Sequence, residues 1–188
     1  MNKLAKQRGF TVVELVIVIA VIAILATITI VAYTGMQGRA RDTQRRSDMQ
    51  TIVEALEMYR LKTGNYPAAV GTDGAGGWET SVGSTPFLSA LFSGANAVVP
   101  SIPVDPLNKV NGTRSLSRSG DDFFYFYYRY GSGSSGCDGW KGNFYILGAT
   151  RFESVPVGQA APESKSFVCP SRTWEGEGAY IIGAFTNA

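Results

Sequence analysis

From Leu15 to Gly38 the chain carries no charged residue, and from Leu15 to Ala32 it is almost pure Val, Ile, Ala and Leu, interrupted only by Thr27 and Thr29. A bilayer core about 30 Å thick needs roughly 20 such residues as a helix, so this stretch is long enough to cross one. The alternative is a buried core helix. At the head of the run stands a single carboxylate, Glu14, with no lysine or arginine inside the run to pair with. An isolated ionised side chain in lipid is costly and calls for a partner. The other account of Glu14 is that it snorkels to the headgroups as a topology marker.

Behind the apolar run the pattern changes without a proline or a loop. Met49, Ile52, Val53, Leu56 and Tyr59 recur at three- and four-residue spacing among Arg, Asp, Glu and Gln, which predicts an amphipathic helix. Gly64-Asn65 and Pro67, the first proline in the chain, supply its stop. A continuous helix from Phe10 to about Lys62 is roughly 80 Å long at 1.5 Å per residue, more than a domain of this size needs. Its first half therefore lies in lipid or against other molecules, and its second half lays an apolar stripe on the domain that follows. Gly35 and Gly38 fall between the halves, and each costs a helix interior about 1 kcal/mol relative to Ala. They mark an expected weak point, a bend or melted turn, unless they serve to let neighbouring helices approach closely.

The remainder is rich in Gly, Ser and Pro. Its β-branched and aromatic runs, Phe123–Tyr130 ("FFYFYYRY"), Asn143–Ala149 and Ala179–Phe185, predict strands of a small antiparallel sheet. The expected class is α+β: a long N-terminal helix, membrane-spanning in its first half and amphipathic in its second, packed on a small sheet domain. The expected organisation is a leader at 1–9, an apolar helix at 10–34, its amphipathic continuation at 35–63 and a β-rich head at 64–188. Gly71–Gly77 reads as a loop, since it lacks the lysine and the strand–helix context of a phosphate cradle. The 188 residues hold no histidine, which removes Ser-His-Asp triads, Cys-His dyads and the commonest zinc sites, and no catalytic set is expected. The net charge of +2 announces no nucleic-acid partner. Cys137 and Cys169 both lie in the head. Outside the cytoplasm a disulfide is the first expectation, contributing about 3–4 kcal/mol in the chain-entropy model; in a reducing compartment they are two buried thiols.

The opening residues form a unit: the basic leader with Lys3, Lys6 and Arg8, then Gly9, Phe10 and Glu14, then the apolar run. An ordinary secretory signal has a shorter apolar region and a small-residue cleavage site behind it. The arrangement here resembles the class III leader of type IV prepilins, and the resemblance covers about the first third of the chain. It implies the pilin fold, with cleavage of the Gly9-Phe10 bond by a prepilin peptidase, N-methylation of Phe10, and Glu14 as the docking residue that pairs with a neighbour's new N-terminal amine. It also implies self-assembly into a helical filament through the Phe10–Val31 helices, together with an assembly platform and ATPase. The protein would be a single-pass membrane protein before assembly and part of a cell-surface filament afterwards. Many pilins carry a proline in the apolar half. This chain has none, so melting in a filament would fall at Gly35 and Gly38.

Looser likenesses follow. Thr63-Gly64-Asn65-Tyr66-Pro67 resembles the turn that ends the long helix in pilins and pseudopilins, and Ile102-Pro103-Val104-Asp105-Pro106 resembles a segment of the major pseudopilins of type II secretion. Those pseudopilins carry calcium in a later loop; Asp121, Asp122 and Asp138 are the candidate oxygen ligands here, although turn aspartates in solvent are the favoured reading and no cofactor is expected. Arg39, Arg41, Arg45 and Arg46 can meet lipid phosphates or nucleic acid, but with Asp42 and Asp48 interleaved they read better as a solvated face with local pairs, Asp42 to Arg46 among them. Nucleic acid is disfavoured. Asn111-Gly112-Thr113 is a sequon that reads first as a turn. The preferred function is a non-enzymatic subunit of a type IV pilus. The alternative is a pseudopilin of a type II secretion-like system, and a third class is a signal-anchored extracytoplasmic binding domain or enzyme.

Overall fold

The computed structural model describes residues 10–71 and 77–187, with only the backbone described at 31, 32 and 34. The expected leader, including Gly9, and the centre of the Gly71–Gly77 loop lie outside the described residues. The chain divides into two units, residues 1–38 and 39–188. One helix, α1 (Val12–Thr63), contributes to both and runs unbroken through Gly35 and Gly38. A Cβ built on Gly35 meets nothing within 4 Å. Among the described residues nothing stands close beside Gly35, whereas Gly38 is buried.

In the first unit every described side chain from Phe10 to Gln37 is exposed. A helix satisfies its own backbone groups, which is what lets such an apolar surface stand in hydrocarbon. The two hydroxyls in the run are neutralised in the same way: Thr27 donates to the Ile24 carbonyl at 2.7 Å and Thr29 to the Leu25 carbonyl at 2.8 Å. Among the described helices this is the one long and apolar enough to span a bilayer.

The second unit is built on a four-stranded antiparallel sheet of β1 (Glu79–Thr80), β2 (Tyr125–Tyr130), β3 (Phe144–Ala149) and β6 (Tyr180–Phe185), in the order β1-β2-β3-β6. A separate hairpin pairs β4 (Val168–Cys169) with β5 (Arg172–Thr173). The three strands expected from sequence are present to within two residues at their ends. The two-residue strands are too short to show any alternation and were not expected.

The sheet is buried on both faces. Tyr125, Tyr127, Tyr145 and Leu147 pack with Met49, Ile52, Ala55 and Leu56 of α1. The alternate residues Phe124, Phe126, Phe144 and Ile146 pack on the other side with Trp78, Trp174, Ile181 and the two cysteines. Successive side chains of a strand point to opposite faces, so a sheet covered on both sides needs apolar residues at both parities. "FFYFYYRY" has its unbroken aromatic character for this reason. Gly148 is the exception that packing requires, because a Cβ there would collide with the Phe126 ring and the Tyr180 carbonyl.

Candidate functional site

At the start of α1, Thr11 and Glu14 satisfy each other. The Glu14 carboxylate accepts from the Thr11 N–H and the Thr11 hydroxyl, both at 2.8 Å, and the Thr11 hydroxyl oxygen accepts from the Glu14 N–H at 3.2 Å. This is a capping box, in which the first residues of a helix close their orphan donors with side-chain oxygens. The signal, Thr-x-x-Glu ahead of an apolar run, stands in the sequence and was overlooked beside the charge itself. Glu14 thus has an intramolecular partner at the helix end, next to the exposed Phe10.

In the second unit the buried stripe of α1 does not stop at Met49. It continues toward the N-terminus as Asp48, Arg45 and Asp42, with 5%, 0% and 0% exposure. This corrects the reading of a solvated arginine face at Arg45, while Arg39 is exposed, Arg41 and Arg46 are part-exposed, and the local pair is Asp42 with Arg45. Arg45 makes a two-pronged contact with Asp105, Nε to Oδ2 at 2.7 Å and Nη2 to Oδ1 at 3.0 Å. Its Nη1 donates to Asp42 at 2.7 Å and to Glu153 at 3.1 Å, and its guanidinium lies 4.9 Å from the Phe123 ring centroid. Arg41 grips Glu153 with two bonds of 2.7 and 2.6 Å. Arg46 pairs with Glu163 and not with Asp42. Three of the four arginines are therefore engaged by carboxylates of the head. The missed signal was periodicity: Asp42 and Arg45 lie seven and four residues before Met49, on the same helical face.

Two guanidiniums face three carboxylates in this clamp, and backbone amides supply the balance. Asp105 accepts from the amides of Leu107 at 2.8 Å and Asn108 at 3.3 Å. Asp42 accepts from those of Glu153 at 2.9 Å and Ser154 at 2.7 Å. Burial works against ionisation of Asp42, yet the hydrogen bonds from Ser154, Glu153 and Arg45 hold its pKa below the ordinary value. The Arg41 bonds, assisted by Arg45, do the same for Glu153 against its partial burial. One turn further along α1, Asp48 accepts from the Tyr125 hydroxyl at 2.7 Å. Burial and that bond push the Tyr125 pKa up, so the phenol remains a donor. The Pro103-Val104-Asp105-Pro106 segment thereby has a physical role: it presents Asp105 to the helix.

The helix ends as expected. Gly64 has φ +79° and its N–H returns to the Arg60 carbonyl at 2.8 Å, a left-handed cap. Tyr66 is buried, donates to Glu57 at 2.6 Å and sets its ring edge-on to Tyr145 at 4.6 Å. Cys137 and Cys169 are disulfide-bonded, with Cα atoms 5.0 Å apart. The calcium candidates are not brought together. Asp122 accepts from the Asn111 and Ser115 amides at 2.8 and 3.2 Å. Asp121 faces Arg151 at 3.5 Å, and Asp138 faces Lys141 at 3.3 Å. Among the described residues no group of three His, Cys, Asp or Glu is placed to hold a metal ion. Asn111 lies exposed just before a bend in which Gly112 has φ +82°.

An apolar N-terminal helix with a capped carboxylate at its start, continuing into a helix that serves as the spine of a small antiparallel-sheet head, defines a pilin-type subunit. Residues 4–30 match the model of the prokaryotic N-terminal methylation motif. The chain is 32% identical over 103 residues to type II secretion system core protein G of Escherichia coli K12, a match covering 54% of this chain and 67% of that protein. It is 33% identical over 63 residues to the protein of the same name from Pectobacterium carotovorum, covering 34% of this chain and 40% of that one. With that of Vibrio cholerae it shares 33% over 67 residues, covering 36% and 46%. No solved structure matches. The chain belongs to the prepilin family, which takes in the type IV pilins and the pseudopilins of type II secretion. Within it, the relatives cited are all of the secretion kind. The family is structural, and its leader and apolar helix go with membrane anchoring before assembly.

Proposed function

We propose that the chain is a pseudopilin-type subunit of a type II secretion-like machine, cleaved between Gly9 and Phe10, methylated on Phe10 and polymerised through its apolar helix. The observation that carries the choice over a type IV pilus is the length of the Escherichia coli match. A span of 103 residues cannot be contained in the 52-residue helix, so the likeness extends beyond the shared N-terminal motif. Once the leader is removed, the Phe10 amine stands near the depth of Glu14. A neighbour's amine then exchanges with Thr11 for the Glu14 carboxylate, and the pair sets subunit register. The assembled fibre emerges on the outer side of the membrane, with the assembly platform and ATPase as partners. Mass spectrometry of sheared filaments tests this: the expected N-terminus is methylated Phe10. A chain found only as a full-length membrane monomer, despite an active prepilin peptidase, overturns it. Deletion of the gene separates the two machines, abolishing protein export for a pseudopilin and surface pili for a pilin.

A further inference from the structure

Trp140 is the most exposed aromatic side chain of the head, at 72%, yet the loop that carries it is pinned on every side. Cys137, three residues before it, is tied to Cys169 by the disulfide. The Ser132 hydroxyl donates to the Gly139 carbonyl at 2.6 Å. Asn187 donates from its backbone N–H to the Lys141 carbonyl at 3.0 Å and from its side chain to the Trp140 carbonyl at 3.3 Å. Gly142 has φ +79°, and a Cβ there would collide with Thr186. The Lys141 ammonium sits 5.3 Å from the Trp140 ring and 5.3 Å from that of Phe185. The indole itself buries little in this fold although the loop that carries it is tied down. Large rigid aromatics of this kind are the usual anchors of protein interfaces.

The same head holds a matching recess. Between the Ser81–Phe87 and Ser101–Val104 segments lies an open cavity of about 320 Å³ lined by Pro86, Phe87, Phe92, Ile102 and Val104 together with serine and threonine, with no charged residue among its lining. This is the small end of the roughly 300–1,000 Å³ range of ligand pockets, matched to one large side chain. Another cavity of similar size carries Glu54 and Lys165 in its walls and suits an indole less well.

Knob and recess also sit at different levels along α1. The Trp140 loop is tied to the helix end through Asn143 Nδ2, 3.1 Å from Asn65 Oδ1, whereas Val104 directly precedes Asp105, the partner of Arg45. Arg45 and the end of the helix are roughly 25–30 Å apart at 1.5 Å per residue. A contact between unlike patches at different heights is heterologous, and such contacts build open-ended filaments where the rotation does not close.

We propose that Trp140 of one copy inserts into the Pro86–Val104 recess of another copy and forms a head-to-head-domain contact along the filament. The inference rests on the filament reading above and names a contact of that assembly. The test places the photo-crosslinker p-benzoylphenylalanine at position 140 of the full-length chain, irradiates assembled filaments and maps the crosslinked peptides. Crosslinks to residues 81–104 of a second copy are expected. Trp140→Ala and Val104→Arg should each weaken the contact by an order of magnitude or more and lower filament yield, as truncation of an interface anchor does. Thermal unfolding of the monomer should be unchanged in both, because both side chains are exposed there. Crosslinks that map only elsewhere, or wild-type filament yield from both variants, overturn the contact while leaving the filament reading intact. A wild-type chain that assembles into no filament overturns the reading beneath it.

Discussion

Arg45→Met is the sharpest test of the charged clamp. The substitution keeps an unbranched apolar stem and removes the guanidinium. Asp105 then loses bonds of 2.7 and 3.0 Å and Asp42 loses one of 2.7 Å, while both side chains stay at 0% exposure. Breaking a buried ion pair from one side costs about 3–5 kcal/mol, because the remaining charge is left uncompensated. For a unit of this size each kcal/mol moves Tm by about 2–4 °C, so the expected fall is about 6–20 °C. Circular dichroism melting of the full chain in detergent micelles reads it. Replacing the pair together, as Arg45→Met with Asp105→Leu, should recover most of the loss, since an apolar pair of similar volume is often as stable as the buried ions. The amides of Glu153 and Ser154 still serve Asp42 in that double variant. A single variant melting within about 2 °C of wild type, below the shift that 1 kcal/mol gives, would refute the reasoning. So would a double variant whose loss equals the sum of the two singles.

Acid should weaken the head through the same clamp. Asp42 and Glu153 have folded pKa values below their ordinary ones, so their stabilisation is present at neutral pH and is lost as pH falls below about 4. Glu177 acts in the opposite sense. Burial raises its pKa against its bond to Arg172, so its protonation favours the fold as pH falls; urea titrations at pH 3–7 on Glu177→Gln should therefore show a steeper acid loss than wild type, and an unchanged slope would contradict the assignment. Cys169→Ser should cost about 3.7 kcal/mol, from the 32-residue separation of the cysteines in the chain-entropy model, and reductant should reproduce that loss in wild type but not in the variant. Thr11→Val removes the capping hydroxyl and should cost the start of α1 about 0.5–2 kcal/mol, read as faster amide exchange at Val12–Glu14 in micelles; unchanged exchange would mean that the box contributes nothing there.

The long helix and the three main strands were legible because each keeps one character over six or more residues: an apolar run passing into a three- and four-residue stripe, and aromatic or β-branched runs bounded by turn residues. The helix stop at Gly64-Asn65-Tyr66-Pro67 was legible because glycine in the left-handed region has few substitutes. The second covered face of the sheet was written in "FFYFYYRY" as well, but a continuous aromatic run does not say what lies on either side. Its cover comes from Trp78, Phe167 and Trp174, which are distant in sequence and follow no common period. The clamp was hidden for a different reason. A charged residue at a core-facing position reads as surface, and only the partner's location tells the two apart. Arg45 and Asp105 are 60 residues apart, so no local pattern joins them. The short hairpin of β4 and β5 was invisible because it is held by the disulfide and by ring packing, with little alternation of its own.

Glu14 shows what separates a charge that needs a partner from one that has already found one. Read from sequence, it is an unpaired carboxylate at the edge of a membrane span, and its pairing with a neighbour's amine would supply all of its compensation. In the folded chain the Thr11 N–H and hydroxyl already occupy it. In the docking proposed above, one set of hydrogen bonds is exchanged for another, and the net gain is the difference between a neutral donor set and a cationic one, reduced by the desolvation of that cation. Charge-assisted bonds are roughly twice as strong as neutral ones, and burial of the amine returns part of that margin. On that proposal the pair contributes more through where it places the helix than through how tightly it holds it, and the stronger, less exchangeable charges are those at Arg45, where the head is locked to its helix.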